Sequence, residues 1–218
     1  MTITERRHKK FGLSALALLA IFCWFPWVNG ATLAQDAPAG TVTRVKGAAI
    51  AVQNAEPRVL GSGANILIGD IISTGPGARL EIAMVDGGAV TLGERTVFVV
   101  IDYAFSGADG NAVFRLMEGA ALAVTGRIAS LGPDRMRLET EGATIGIRGT
   151  TLWGGALDGR LQFILLDGSA LTVENRFGRV ILANPGEGTQ IPENAAPAPP
   201  GQWPADKLDR AKRTVSFD

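Results

Sequence analysis

Histidine and cysteine are almost missing from this chain. Each occurs once in 218 residues, as His8 and Cys23, and both fall in the first 34. Residues 35–218 contain neither. That excludes a Ser-His-Asp or Cys-His nucleophile pair within those residues. It excludes a zinc site built from thiolates or imidazoles, a haem ligated by His or Cys, and a cysteine-held iron–sulfur cluster. No disulfide is available, so the core and the backbone ladders must hold the fold, and 184 residues are enough for that. Charge of one sign is also lacking. Twenty-one basic residues balance 21 acidic ones, which gives no general attraction to a polyanion, and Arg and Lys do not cluster with aromatics into a stacking platform. Nucleic acid is therefore not an expected partner.

What is abundant is glycine, at 28 residues, roughly twice the usual ~7%. No Gly-X-Y period accompanies it, which rules out collagen. A hydrophobic content of 46% rules out a fully disordered chain. Many short strands joined by glycine turns are the expected outcome.

The first 34 residues stand apart. Arg6, Arg7, Lys9 and Lys10 form a basic head, and Phe11 to Val28 is an 18-residue apolar run. Small residues follow, ending at Ala34. This is the pattern of an export signal, with cleavage expected near Ala34. A retained anchor is the alternative, although 18 residues lie near the lower limit for a span and Pro26 interrupts the helix. Ile21-Phe22 are too bulky for a lipoprotein signal before Cys23. Without the segment, 17 basic and 20 acidic residues remain, a net charge of −3.

From Thr41 onward the chain reads as about fifteen short strands and no long helix. In Arg79–Val85, Leu80, Ile82 and Met84 share one face, and Arg79, Glu81 and Ala83 the other. An echo links Asp86-Gly87-Gly88-Ala89, Glu118-Gly119-Ala120-Ala121 and Asp167-Gly168-Ser169-Ala170, each running into an apolar strand. Their spacings of 32 and 49 give no fixed solenoid period. They are either a repeated corner device or ordinary Asp-Gly turn chemistry. Residues 194–218 differ in kind: a Pro/Ala-rich spacer, then a polar tail. Trp203, Leu208 and Val215 in that tail can form a helical turn or dock on the body; otherwise it is loosely ordered.

Residues 60–92 resemble the FecR protein domain. The resemblance rests on Gly69-Asp70, Ile72-Ser73-Thr74-Gly75, Gly77-Ala78-Arg79, the alternating strand and Asp86-Gly87. A second stretch, Leu138 to Arg148-Gly149-Thr150, resembles the family's strand running into Arg-Gly-Thr. The Leu166–Val173 strand and Asn184–Gly188 also fit, so the likeness covers about residues 40–192. It implies an extracytoplasmic all-β domain over residues 35–193, in a compact β-solenoid-like or stacked-sheet form. Only ten residues precede the apolar run. The resemblance is thus to a stand-alone exported FecR-domain protein without the cytoplasmic sigma-regulating segment.

The candidate residues have structural readings beside functional ones. Asp70 suits a turn, accepting backbone N–H groups. Asp86 and Asp167 read the same way, with paired carboxylates for glycoside hydrolysis as a remote alternative. Gly107–Asn111 is too sparse in acids for a calcium loop. No Ser-x-x-Lys spacing exists after residue 34 to make Lys46 a base. Arg148, between Gly146 and Gly149, is either an internal clamp on carbonyls, Glu139 or Glu141, or a contact for a partner. Trp153 offers a possible partner surface. Together these readings predict no enzyme and no cofactor. They predict a non-catalytic extracytoplasmic scaffold or protein-binding module of the bacterial cell envelope, placed in the periplasm or extracytoplasmic envelope. The alternative is an accessory component of a sigma-factor, transporter or polysaccharide assembly. An envelope protein is the expected partner, and membrane contact is expected only if the N-terminal segment is retained.

Overall fold

Alternation of apolar and polar side chains dictates the local structure almost throughout. The computed structural model describes residues 37–132 and 134–218, so the export-signal reading of residues 1–34, with His8 and Cys23, lies outside it. Among the described residues sixteen strands form. They are β1 Gly40–Lys46, β2 Ala49–Gln53, β3 Glu56–Val59, β4 Asn65–Ile66, β5 Ile71–Thr74, β6 Arg79–Met84, β7 Ala89–Leu92 and β8 Val97–Phe105. After these come β9 Gly110–Glu118, β10 Ala120–Val124, β11 Met136–Glu139, β12 Thr144–Leu157, β13 Arg160–Asn175, β14 Gly178–Leu182, β15 Glu187–Ile191 and β16 Gly201–Gln202. One α-helix, α1, spans Ala205–Arg213, and a single 3-10 turn covers Ile128–Ser130. The protein is all-β, as its glycine-punctuated alternation requires. Among the described residues no helix is long and apolar enough to cross a membrane.

The strands join in one sheet. Its main path runs β3-β2-β5-β8-β9-β11-β12-β10-β7-β6-β1-β4, with β13 on β12, β14 and β15 on β13, and β16 on β15. Every pairing is antiparallel except β9 with β11. The sheet curls so that Ala51 of β2 and Ile66 of β4, near opposite ends of the path, line the same core with Leu80, Ile82, Phe98, Phe114, Ile145 and Phe163. In β6, Leu80, Ile82 and Met84 are the buried set, so the alternation read from sequence fixes the core face.

A second, smaller core lies on the opposite face of β12 and β13. Leu152 belongs to the main core, whereas Trp153 packs with Ile164, Ala211 and Val215 beneath α1. Neighbouring residues on a strand point to opposite faces, so these strands are buried on both. Of the readings open for the tail, the helical turn and the docking both form: Leu208 lies in α1, and Trp203, Leu208 and Val215 pack on the body. Trp203 meets the Trp153 ring edge-on at 6.0 Å, and Leu208 packs beside them.

The structure corrects the reading of Asp167-Gly168 as a turn. β13 runs unbroken for 16 residues through both. The register shifts beside Thr151, and Gly168 has φ +102° opposite Thr150. This is a bulge inside a long hairpin, a place where glycine admits close backbone approach. A Cβ at Gly168 would collide with the Gly149 carbonyl oxygen.

Candidate partner-binding site

The β12–β13 hairpin bends at Gly149 and Gly168, and the bend brings its two ends together. A Cβ on Gly142, just before β12, would lie 3.1 Å from Ile191 Cγ2 of β15 and 3.7 Å from Leu161 Cδ2 at the start of β13, two residues that pair with each other. An open groove forms at this mouth. Glu141, Glu174, Arg176 and Phe177 line one side, Arg160 and Gln190 the other. Arg160 Nη1 donates to Gln190 Oε1 at 3.1 Å. Arg176 lies over the Phe177 ring, 4.6 Å from its centroid, and donates through Nη2 to Asn194 Oδ1 at 3.2 Å. Phe177 is 46% exposed, and Ile181 on the adjoining β14 is 54% exposed.

The outer face of the sheet continues from this groove in register. Arg179 pairs across with Glu174, Glu174 with Thr144, Thr144 with Glu139, Glu139 with Arg115 and Arg115 with Val99. Ion pairs follow the row: Arg179 Nε to Glu174 Oε2 at 3.1 Å, and Arg115 Nη2 to Glu139 Oε2 at 2.7 Å. The hydrogen bond from Arg115, more than its charge or that of Arg137, holds the Glu139 carboxyl below its ordinary value. These partly exposed pairs set cross-strand preference rather than stability.

The five residues singled out in the sequence do not converge. Asp70 is fully buried and accepts from Leu67 N at 2.8 Å and from Arg58 Nη2 at 2.5 and 2.6 Å, closing the turn before β5 and holding β3 to it. Asp86 is also buried. Its Oδ1 accepts from the Tyr103 hydroxyl at 2.7 Å and from Gly88 N at 3.1 Å; its Oδ2 accepts from Ile128 N at 3.1 Å. Gly126 seals it, since a Cβ there would stand 2.5 Å from the carboxylate. Burial first, and the bond to Asp86 second, push the Tyr103 phenol far above its ordinary value. Asp167 is exposed at the β13 bulge and shares no hydrogen bond with Asp86.

Arg148 is exposed opposite Ala170, while Ile145 and Ile147 face the core. No hydrogen bond or ion pair holds its guanidinium among the described residues, so the internal clamp does not form. Glu139, one acceptor considered for it, is taken by Arg115 and Arg137. Trp153 is fully buried and donates through Nε1 to Thr214 Oγ1 at 2.9 Å; it offers no surface while α1 is docked. The sequence reading missed Phe177 and the edge on which it sits. The available signal was Asn175-Arg176-Phe177-Gly178, a polar-to-glycine turn carrying a large apolar residue.

Residues 70–171 match the model of the FecR protein family. No curated protein matches the chain. Among solved structures, two crystal structures of a candidate anti-sigma factor from Parabacteroides distasonis ATCC 8503, at 1.65 and 2.50 Å resolution, are similar in fold. Each superposes with a TM-score of 0.50 at 18% identity, over 63% of this chain and 61% of the other. The chain thus spans less than two thirds of that protein's length, and at this identity the likeness is one of fold. The matched stretch begins at the buried Asp70 turn and ends within β13 of the bent hairpin. On that sequence match, residues 70–171 are similar to the FecR protein family.

Proposed function

We propose that this protein is a non-catalytic protein-binding module of the bacterial cell envelope that takes part in signalling. The observation that carries this reading is the FecR match over residues 70–171, which includes Glu141 and Arg160 of the groove's lining, while Glu174, Arg176, Phe177 and Gln190 lie just beyond it. Its fold neighbour, described as a candidate anti-sigma factor, favours signalling over a polysaccharide-related assembly. In this reading residues 1–34 direct export and are removed, the body acts in the periplasm, and the C-terminal segment is a docked strap rather than a tether. Partner binding needs no metal or cofactor.

Photo-crosslinking from position 177 of the full chain, in its own cells, tests the proposal. An envelope protein joined at this position and not from Asn54, on the distant β2–β3 turn, is the expected result. Cross-links confined to cytoplasmic proteins would overturn it. N-terminal sequencing of the envelope form should begin near Gln35, and an intact Met1 would refute removal of the segment.

A further inference from the structure

An open strand end is a hazard that folds usually blunt, and this sheet blunts most of its own. Four strands have a single neighbour among the described residues: β3, β4, β14 and β16. β4 and β16 are two residues long. β3 carries Pro57, which removes an N–H from its free side. β14 has five residues, no proline, and an arginine whose charge is met by Glu174.

The geometry of the β13–β14 hairpin leaves this edge ready to pair. Asn175 and Gly178 close a two-residue loop, and Asn175 Oδ1 also accepts from Phe177 N at 2.9 Å and Gly178 N at 3.2 Å. Backbone groups alternate along an antiparallel strand. Those of Gly178, Val180 and Leu182 therefore point at β13, and those of Arg179 and Ile181 point away. Ile181 and Phe177 add exposed apolar surface to the same edge. Arg176 lies alongside, bound to an amide and an aromatic face and to no carboxylate among the described residues. Residues 175–182 contain two arginines and no acid.

We infer that β14 is the docking strand of this protein, and that its occupant is an extended peptide segment of the partner, apolar with an acidic residue, added as a further strand. The inference rests on the protein-binding reading and specifies its mode. An apolar side chain of the added strand packs on Ile181. An acidic side chain further along the same face, at the strand period of 2, reaches Arg176. Main-chain bonds to Arg179 and Ile181 supply affinity, and the Phe177, Ile181 and Arg176 surface supplies selection.

The test is selection of a random peptide display library on the full chain, followed by synthesis of the enriched peptide. The enriched sequences should carry a β-branched residue with Asp or Glu two or four positions away, on the same face of the strand, and binding should slow amide exchange at Arg179 and Ile181. Ile181→Pro, which removes an outward N–H at an edge position, should weaken the peptide at least tenfold, whereas Ile181→Val should not. Arg176→Glu, which leaves the backbone intact, should weaken it by a similar factor and favour a peptide with Lys for Asp. The inference fails if nothing is enriched, if protection appears on another edge, or if Ile181→Pro leaves Kd unchanged. A concentration-dependent dimer abolished by Ile181→Pro would assign the edge to a second copy instead. If envelope cross-links form from another face, the binding-module reading stands and this inference falls. If the peptide behaves as expected but no envelope partner is found, the reverse holds.

Discussion

Tyr103 is the chain's single tyrosine, which makes one buried contact directly measurable. Its hydroxyl donates to Asp86, and burial raises its pKa from the ordinary 10.0. A phenol whose folded pKa exceeds its unfolded one contributes stability that is fully present below about pH 10 and is lost as pH rises beyond it. Ultraviolet titration should therefore show no phenolate until the protein unfolds at alkaline pH. A reversible phenolate near pH 10 in the folded protein would contradict the contact. Tyr103→Phe leaves Asp86 Oδ1 with Gly88 N alone and should cost about 1–3 kcal/mol in urea unfolding at neutral pH. Arg148 is the opposite case. Exposed and unpartnered among the described residues, it should tolerate Arg148→Ala within about 0.5 kcal/mol. A larger loss would show that its guanidinium holds something internal after all.

At the level of elements, the C-terminal strap is the least autonomous piece. α1 has nine residues, and its first residue follows Pro204, which makes no side-chain cap. Such a helix is marginal alone. Packing holds it, with Arg210 bound to Asp158 at 2.5 Å and Arg79 Nε to Ser216 O at 3.0 Å. Thr214→Val removes the acceptor of Trp153 Nε1 inside the smaller core. It should cost roughly 1–2 kcal/mol, and Trp153→Ala roughly 3–5 kcal/mol, both read by urea unfolding. A loss under 1 kcal/mol for Trp153→Ala would mean the strap contributes little. How much of this was legible follows from the kind of signal involved. The core face of β6 could be read because period-2 alternation is local. The turn aspartates Asp70 and Asp86 could be placed because Asx chemistry is local too. The continuity of β13 could not, because Gly168 reads as a turn until Gly149 is known to lie against it. Trp153 looked like surface because its cover arrives some fifty residues later in sequence.

For the molecule as a whole, two glycines set the bend that makes a groove out of a hairpin, and they act differently. Gly149 has φ +57° with no atom within 4 Å of an added Cβ, so Gly149→Ala carries only the left-handed backbone cost, roughly 1–2 kcal/mol. Gly168 has φ +102°, and its added Cβ would strike the Gly149 carbonyl oxygen and stand 2.7 Å from Thr150 Cα. Both are backbone atoms that no rotamer change can move. Gly168→Ala should therefore cost roughly 3 kcal/mol or more. If the chain folds nonetheless, the two halves of β13 must open, separating Gly142 from Ile191 and with them the groove's walls. Chemical shifts of Ile191 and Phe177 should then move together in Gly168→Ala and stay in place in Gly149→Ala. Equal destabilisation by the two substitutions, or unmoved Ile191 signals in a folded Gly168→Ala protein, would mean that the bend depends on the hairpin's flanking strands rather than on this close approach.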